Sequence, residues 1–151
     1  MKIGIAADHG GFSLKQKMIH LLEEGGYHLT DFGAGALDRQ DDYPDFVAPL
    51  ARALAAGLID RGIAICGSGV GAAIVANKFK GVRAALITET YSARQGVEHD
   101  DMNLICLGGR VIGPELAKEL VFAFLHAHYS GEDRHQRRLD KLARIEKNSF
   151  K

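Results

Sequence analysis

The sequence predicts an α/β fold of three layers, with a five-stranded parallel sheet between helices. Short apolar runs alternate with segments whose apolar residues recur at helical spacing. Glycines gather where the apolar runs end, as tight strand-to-helix turns require. The 151 residues, 46% hydrophobic and 25% charged, suit one domain over residues 1–151 with one sizeable core.

Residues 2–7 read as a buried first strand. Leu14, Met18, Leu21 and Leu22 predict a helix over Phe12–Glu24, stopped by Gly25 and Gly26. Residues 27–31 form a second strand and 33–42 a loop, and Pro44 suits the opening of a helix expected over 46–56. Residues 62–66 form the third strand, 67–71 a loop and 72–78 a short helix. Strands are expected at 82–87 and 102–107, with helix at 91–97 between them and Pro114–His126 after them. A helical extension over about 132–147 carries Leu139, Leu142 and Ile145 as an apolar stripe that should pack on something, such as a second subunit.

Lys plus Arg and Asp plus Glu both number 19, so net charge does not suggest nucleic acid or an anionic membrane. No apolar stretch approaches the ~20 residues that span a bilayer, and the N-terminus lacks a signal peptide's apolar region. Cys66 and Cys106 belong to no C-x-x-C pair. Neither a disulfide framework nor a zinc site is expected, and a reducing cytoplasm is the default compartment.

Parallel sheets bind ligands at the carboxyl ends of their strands. Ile65-Cys66-Gly67-Ser68-Gly69-Val70-Gly71 lies at such an end. Its glycines let the backbone approach a ligand, and the following helix favours negative charge. A phosphate or an enediolate oxygen fits there. Cys66 can be a nucleophile, a general base or an inert core thiol. Dinucleotide binding is the rival, with Ala72 replacing the third glycine and Glu89 as the acidic residue. The loop follows the third strand, however, and no Lys-Ser or Lys-Thr makes it a Walker loop.

Other strand ends and charged segments supply further candidates. Asp8 and His9 can hold a sugar hydroxyl or phosphate, move a proton, or cap the next helix. His99, within Glu98-His99-Asp100-Asp101, is an acid or base candidate in a polar loop. Arg134 and Arg138 share a helix face and can clamp a phosphate or form a solvated basic face. Arg110, after Gly108-Gly109, is a third basic candidate.

Together these segments resemble the ribose-5-phosphate isomerase B family, which includes the galactose-6-phosphate isomerase subunits. The resemblance spans Asp8-His9-Gly10-Gly11-Phe12, Asp42-Tyr43-Pro44, the Cys66 loop with Ala76-Asn77-Lys78, Tyr91-Ser92-Ala93, His99, Gly109-Arg110 and Arg134 to Arg138. It implies a Rossmann-like fold and a homodimer or dimer of dimers, with active sites between subunits and a C-terminal helix packed on the partner. It implies no metal and no organic cofactor. Cys66 would be the base between the first two sugar carbons. His99 would donate the proton that opens the furanose ring. Gly67, Ser68, Gly69, Val70 and Gly71 would stabilise the enediolate, and Asp8, His9 and Arg110 would bind substrate. Arg134 and Arg138 would grip its phosphate. Asp100 would bind substrate where the family has Asn, and Ser68 keeps the hydroxyl of the usual Thr. The family's other branch uses a glutamate base at the position of Ala72, so the cysteine branch is the match.

The resemblance implies isomerisation of ribose 5-phosphate and ribulose 5-phosphate. Allose 6-phosphate, galactose 6-phosphate or a tetrulose phosphate would use the same chemistry. A non-catalytic sugar-phosphate or nucleotide binding module would need the glycine loop and arginines but neither Cys66 nor His99.

Overall fold

The computed structural model describes residues 1–149. The last two residues of the expected domain lie outside that range. The strands are β1 (Ile3–Ala7), β2 (Leu29–Asp31), β3 (Arg61–Cys66), β4 (Ala84–Leu86) and β5 (Leu104–Gly108). The helices are α1 (Phe12–Glu24), α2 (Tyr43–Ala55), α3 (Val70–Ala76), α4 (Thr90–Asp100), α5 (Pro114–His126) and α6 (Asp133–Ser149). All pairings are parallel and the strand order is β2-β1-β3-β5-β4. No helix of the described residues is long and apolar enough to cross a membrane.

Side-chain alternation along the strands divides the core in two. Ile5, Ile63, Ile65, Ile105 and Leu107 face α1, α4 and α5. Ala6, Ala64, Cys66, Leu104 and Cys106 face α2 and α3. Small residues on that second face let α2 and α3 approach closely. Leftward and rightward crossovers use opposite faces, as one handedness requires. The chain departs from β1 and β3 in opposite directions, so their carboxyl ends flank a switch point, where such sheets hold ligands.

Several boundaries differ from expectation. Only Leu29–Asp31 and Ala84–Leu86 pair as the edge strands, because Asp31 and Leu86 are the last residues with a ladder partner. α2 begins at Tyr43 with Pro44 in its first turn. α3 begins at Val70, inside the stretch expected as loop, because Gly69 takes a left-handed φ of 83° and turns the chain directly into the helix. α4 extends to Asp100, where Asp101 caps it with φ 48°. Arg83 holds that cap, its Nη2 2.5 Å from Asp101 Oδ2 and its Nε 2.7 Å from the Asp101 carbonyl.

α6 docks on its own subunit through His135, which is fully buried. Its stripe is left open: Leu142 and Ile145 are 46% and 63% exposed. They line a cavity of about 550 Å3 with Val82, Ala85 and Met102, between α6 and the β4 edge.

Candidate active site

Three strand-end loops meet at the switch point. The Gly109 N–H donates to the Cys66 carbonyl at 2.8 Å, and Arg110 N–H to that of Gly67 at 3.0 Å. The turn after β1 lies against the same backbone: a Cβ on Gly10 would sit 2.8 Å from the Gly67 nitrogen. A side chain there would push the loops apart.

β3 delivers Cys66 into this junction with 4% exposure. Its Sγ accepts a hydrogen bond from Gly69 N–H at 3.1 Å. The cavity over the sulfur has a volume of about 420 Å3 and is lined by Asp8, Tyr43, Cys66, Gly67, Ser68, Gly71, Arg110 and Val111. The Ser68 hydroxyl oxygen accepts from Val70 N–H at 3.3 Å, and Ser68 itself is exposed. Of the expected site residues, Asp8, Cys66, Gly67, Ser68, Gly71 and Arg110 therefore meet in one hollow.

Asp8 closes the turn that precedes α1, whose cap is Gly11, and also edges the hollow. Its Oδ1 accepts from the N–H groups of Gly10 and Gly11, at 2.9 and 3.3 Å, while the side chain lines the cavity. His9 lies beside it, in an adjoining cavity shared with Phe12, Ser13, Leu37, Arg39 and Arg110. Its Nδ1 is 2.6 Å from Asp41 Oδ1, and its backbone N–H donates to the same oxygen at 2.9 Å. The Asp41 hydrogen bond raises the His9 pKa above its ordinary value. Burial opposes the rise, the Asp8 and Asp41 charges add to it, and the Arg110 charge opposes it.

Asp8, His9 and Asp41 each offer a metal-ligand atom, all within 4.8 Å of one another. One oxygen of each carboxylate and the His9 Nδ1 already take part in hydrogen bonds. Asp41 Oδ1 takes both His9 donors, and Asp8 Oδ1 takes two amides. The environment also favours a proton on the imidazole, which competes with a metal ion.

His99 and the α6 arginines stand elsewhere. α4 runs back against the strand direction, so His99 lies near the start of β5, at the sheet's amino end. Cys66 ends β3 at the opposite end. The His99 ring stacks on His135, with centroids 4.0 Å apart and planes 28° from parallel. Gln95 Nε2 is 2.8 Å from His99 Nδ1, and Ser130 Oγ is 2.7 Å from His135 Nδ1. Burial lowers the His135 pKa, the His99 and Arg134 charges add to this, Glu132 opposes it and Arg138 lowers it further. Asp100 lies exposed along the α6 cavity and, among the described residues, makes no hydrogen bond to His99. Arg134 pairs with Glu132 at 2.8 Å, and Arg138 is exposed one turn further along α6. One chain therefore brings Cys66 and Arg110 together and leaves His99, Arg134 and Arg138 apart from them.

The dinucleotide alternative loses its acidic residue. Glu89 caps α4, both its oxygens 3.0 Å from the Ser92 N–H, and those Ser92 hydrogen bonds hold its carboxyl below the usual range. Cys106 is fully buried in the core, where burial pushes its thiol far up. Sequence reasoning missed Asp41 and assigned no role to Tyr43 or His135. Tyr43 and His135 stand inside quoted motifs, whereas Asp41 acts across 32 positions on His9, which no local pattern marks.

Comparison with known proteins agrees with this geometry over nearly the full chain. Ribose-5-phosphate isomerase B of Escherichia coli is 45% identical over 145 residues, covering 96% of each chain. D-erythrulose-4-phosphate isomerase of Pectobacterium atrosepticum is 41% identical over 131 residues, 87% of this chain and 86% of that one. The crystal structure of Mycoplasma genitalium ribose-5-phosphate isomerase B with bound ribulose 5-phosphate superposes with a TM-score of 0.92 at 40% identity, over 98% of this chain and 97% of that one. The ribose/galactose isomerase family model matches residues 3–142, from β1 into α6, and the chain belongs to that family.

Proposed function

We propose that this protein interconverts ribose 5-phosphate and ribulose 5-phosphate through an enediolate, with Cys66 as the base. The carrying observation is the Cys66 sulfur at a strand end, hydrogen-bonded by Gly69 N–H and facing a cavity edged by Asp8, Ser68 and Arg110. In the open-chain aldose, the Cys66 thiolate takes the proton from C2. The electron pair forms the C1–C2 double bond and leaves negative charge on O1. The remaining N–H groups of the Gly67 to Gly71 loop face that charge. Cys66 then returns the proton to C1, while the O2 hydroxyl proton passes to O1, so that O2 becomes the ketone oxygen and O1 the C1 hydroxyl. The reaction moves protons within one molecule with no net oxidation, so it consumes no redox cofactor.

His99 opens the furanose ring by donating to the ring oxygen, and Arg134 and Arg138 hold the phosphate. Both functions come from a second copy, because these residues lie at the other end of the sheet from Cys66. The exposed apolar residues support that arrangement. Val70 and Val111, 48% and 63% exposed, stand beside the glycine loop, and Leu142 and Ile145 stand on α6. A homodimer, or a dimer of dimers, would cover them and complete each site, with Asp100 arriving beside His99. Free thiols at Cys66 and Cys106 fit a reducing cytoplasm.

A shorter sugar is the second reading, favoured by the 41% identity to D-erythrulose-4-phosphate isomerase. Turnover of ribose 5-phosphate, allose 6-phosphate, galactose 6-phosphate and erythrulose 4-phosphate, with and without a chelator, tests both. The highest kcat/KM on ribose 5-phosphate, insensitive to chelator, is expected. Faster turnover of another sugar replaces the substrate, and binding without turnover of any reduces the protein to a binding module.

A further inference from the structure

We propose that Asp41 is a positioning residue that fixes the His9 ring and holds it as a cation, at the substrate-binding place that the family resemblance gives to His9 and Arg110. The proposal rests on the sugar-phosphate reading above and adds a residue that no motif in the chain marks. Its observations are geometric. One carboxylate oxygen of Asp41 receives both the His9 backbone N–H and its ring Nδ1, at 2.9 and 2.6 Å. The double contact fixes the position of the residue and the orientation of its ring together. With Nδ1 engaged, Nε2 is the ring nitrogen left for a ligand.

The Asp41 side chain is only 8% exposed, and its second oxygen, Oδ2, is buried without a hydrogen-bond partner. A buried carboxylate satisfied on one side is costly unless a cation lies against it. His9 is the group in contact, so the pair is stable when the ring is protonated. The His9 side chain is 26% exposed and lines a cavity of about 530 Å3 with Arg39 and Arg110. Arg110 also lines the Cys66 cavity, so the two hollows share a wall. An anionic end bound at His9 and Arg110 would leave the rest of the substrate directed toward the sulfur.

The charged groups facing His9 are Asp8 from the end of β1, Asp41 and Arg39 from the loop before α2, and Arg110 from the turn after β5. Asp8 and Asp41 favour the imidazolium and Arg110 disfavours it, with Asp41 the largest influence. The sign follows. A cation at His9 persists above the ordinary histidine range and is lost as pH rises through its raised pKa. Substrate affinity then falls on the alkaline side, and loss of the Asp41 charge brings that fall to lower pH.

The test compares the wild-type protein with Asp41→Asn and Asp41→Glu. Asparagine keeps the size and an acceptor but removes the charge, and glutamate restores the charge. NMR titration of the His9 ring in the substrate-free protein should show a lower pKa in Asp41→Asn, and a value nearer wild type in Asp41→Glu. KM for ribose 5-phosphate, measured from pH 5.5 to 9, should begin to rise at lower pH in Asp41→Asn than in wild type. On the alkaline side of the profile it should be severalfold above wild type, with kcat changed less than KM. The substrate's own phosphate titration is common to all three proteins and cancels in the comparison. An unshifted His9 titration in folded Asp41→Asn overturns the proposal, as does a shifted titration with an unshifted KM profile. Absence of turnover in the wild type would instead strike the isomerase reading, while the ring titration still decides the role of Asp41.

Discussion

The Gly69 amide donates to the Cys66 sulfur at 3.1 Å, closing a three-residue turn between the end of β3 and the start of α3. An N–H aimed at sulfur fixes where the sulfur sits at the mouth of the glycine loop. Gly69 can do this because its φ is 83°, a left-handed conformation that side chains disfavour.

Gly69→Ala tests that turn. The new Cβ would lie 2.6 Å from Leu86 Cδ1 and 2.9 Å from the Leu107 carbonyl carbon, one yielding side chain and one unyielding backbone atom. The expected costs are about 2–4 kcal/mol of stability in chemical denaturation and at least about a hundredfold in kcat. A variant with normal stability and kcat would show that the turn geometry is dispensable.

The His99–His135 stack predicts an acid sensitivity. Burial keeps the His135 pKa below its ordinary value, so the unfolded chain takes up the proton first as pH falls below about 6.5. Stability therefore decreases with acidification in that window. His9 acts on the other side: its raised pKa gives stability that is present below 6.5 and lost as pH rises through the raised value. Thermal melts of His135→Gln from pH 7.5 to 5 should show a smaller acid loss than wild type. An equal loss in both proteins would remove His135 as the cause.

Separation of Cys66 and His99 by the length of the sheet predicts complementation. Cys66→Ala and His99→Ala should each be nearly inactive. Hybrid dimers, formed by mixing and reassembly, contain one site with both residues intact. An equal mixture should regain about a quarter of wild-type activity, since half the dimers are hybrid and half their sites are whole. No recovery, with hybrids demonstrated by mass spectrometry, would place His99 and Cys66 in one chain's site.

Much of the fold is legible in the sequence because buried parallel strands are continuous apolar runs, as at residues 62–66. Edge strands are less so. At 27–31 and 82–87 the apolar pattern outruns the pairing, which covers three residues in each. The start of α3 was hidden because Gly69-Val70-Gly71 has loop composition, and only the left-handed Gly69 shows that the helix begins there. Within the site, the Cys66 loop is local in sequence and readable from it. The Asp41–His9 pair is not, because it joins two loops across β2 and α1. Neither was the distance of His99 from Cys66 apparent. It depends on α4 running opposite to the strands, a property of the assembled sheet.

The most direct test of the account follows the sugar's C2 proton. Ribose 5-phosphate deuterated at C2 is incubated with wild type and with Cys66→Ala, and label and ketose are followed by NMR. Wild type should form ribulose 5-phosphate with part of the deuterium transferred to C1 and the rest lost to solvent. Cys66→Ala should still bind the sugar but form ketose at least about a thousandfold more slowly. Near-normal turnover and label transfer by folded Cys66→Ala would contradict the assignment of Cys66 as the base.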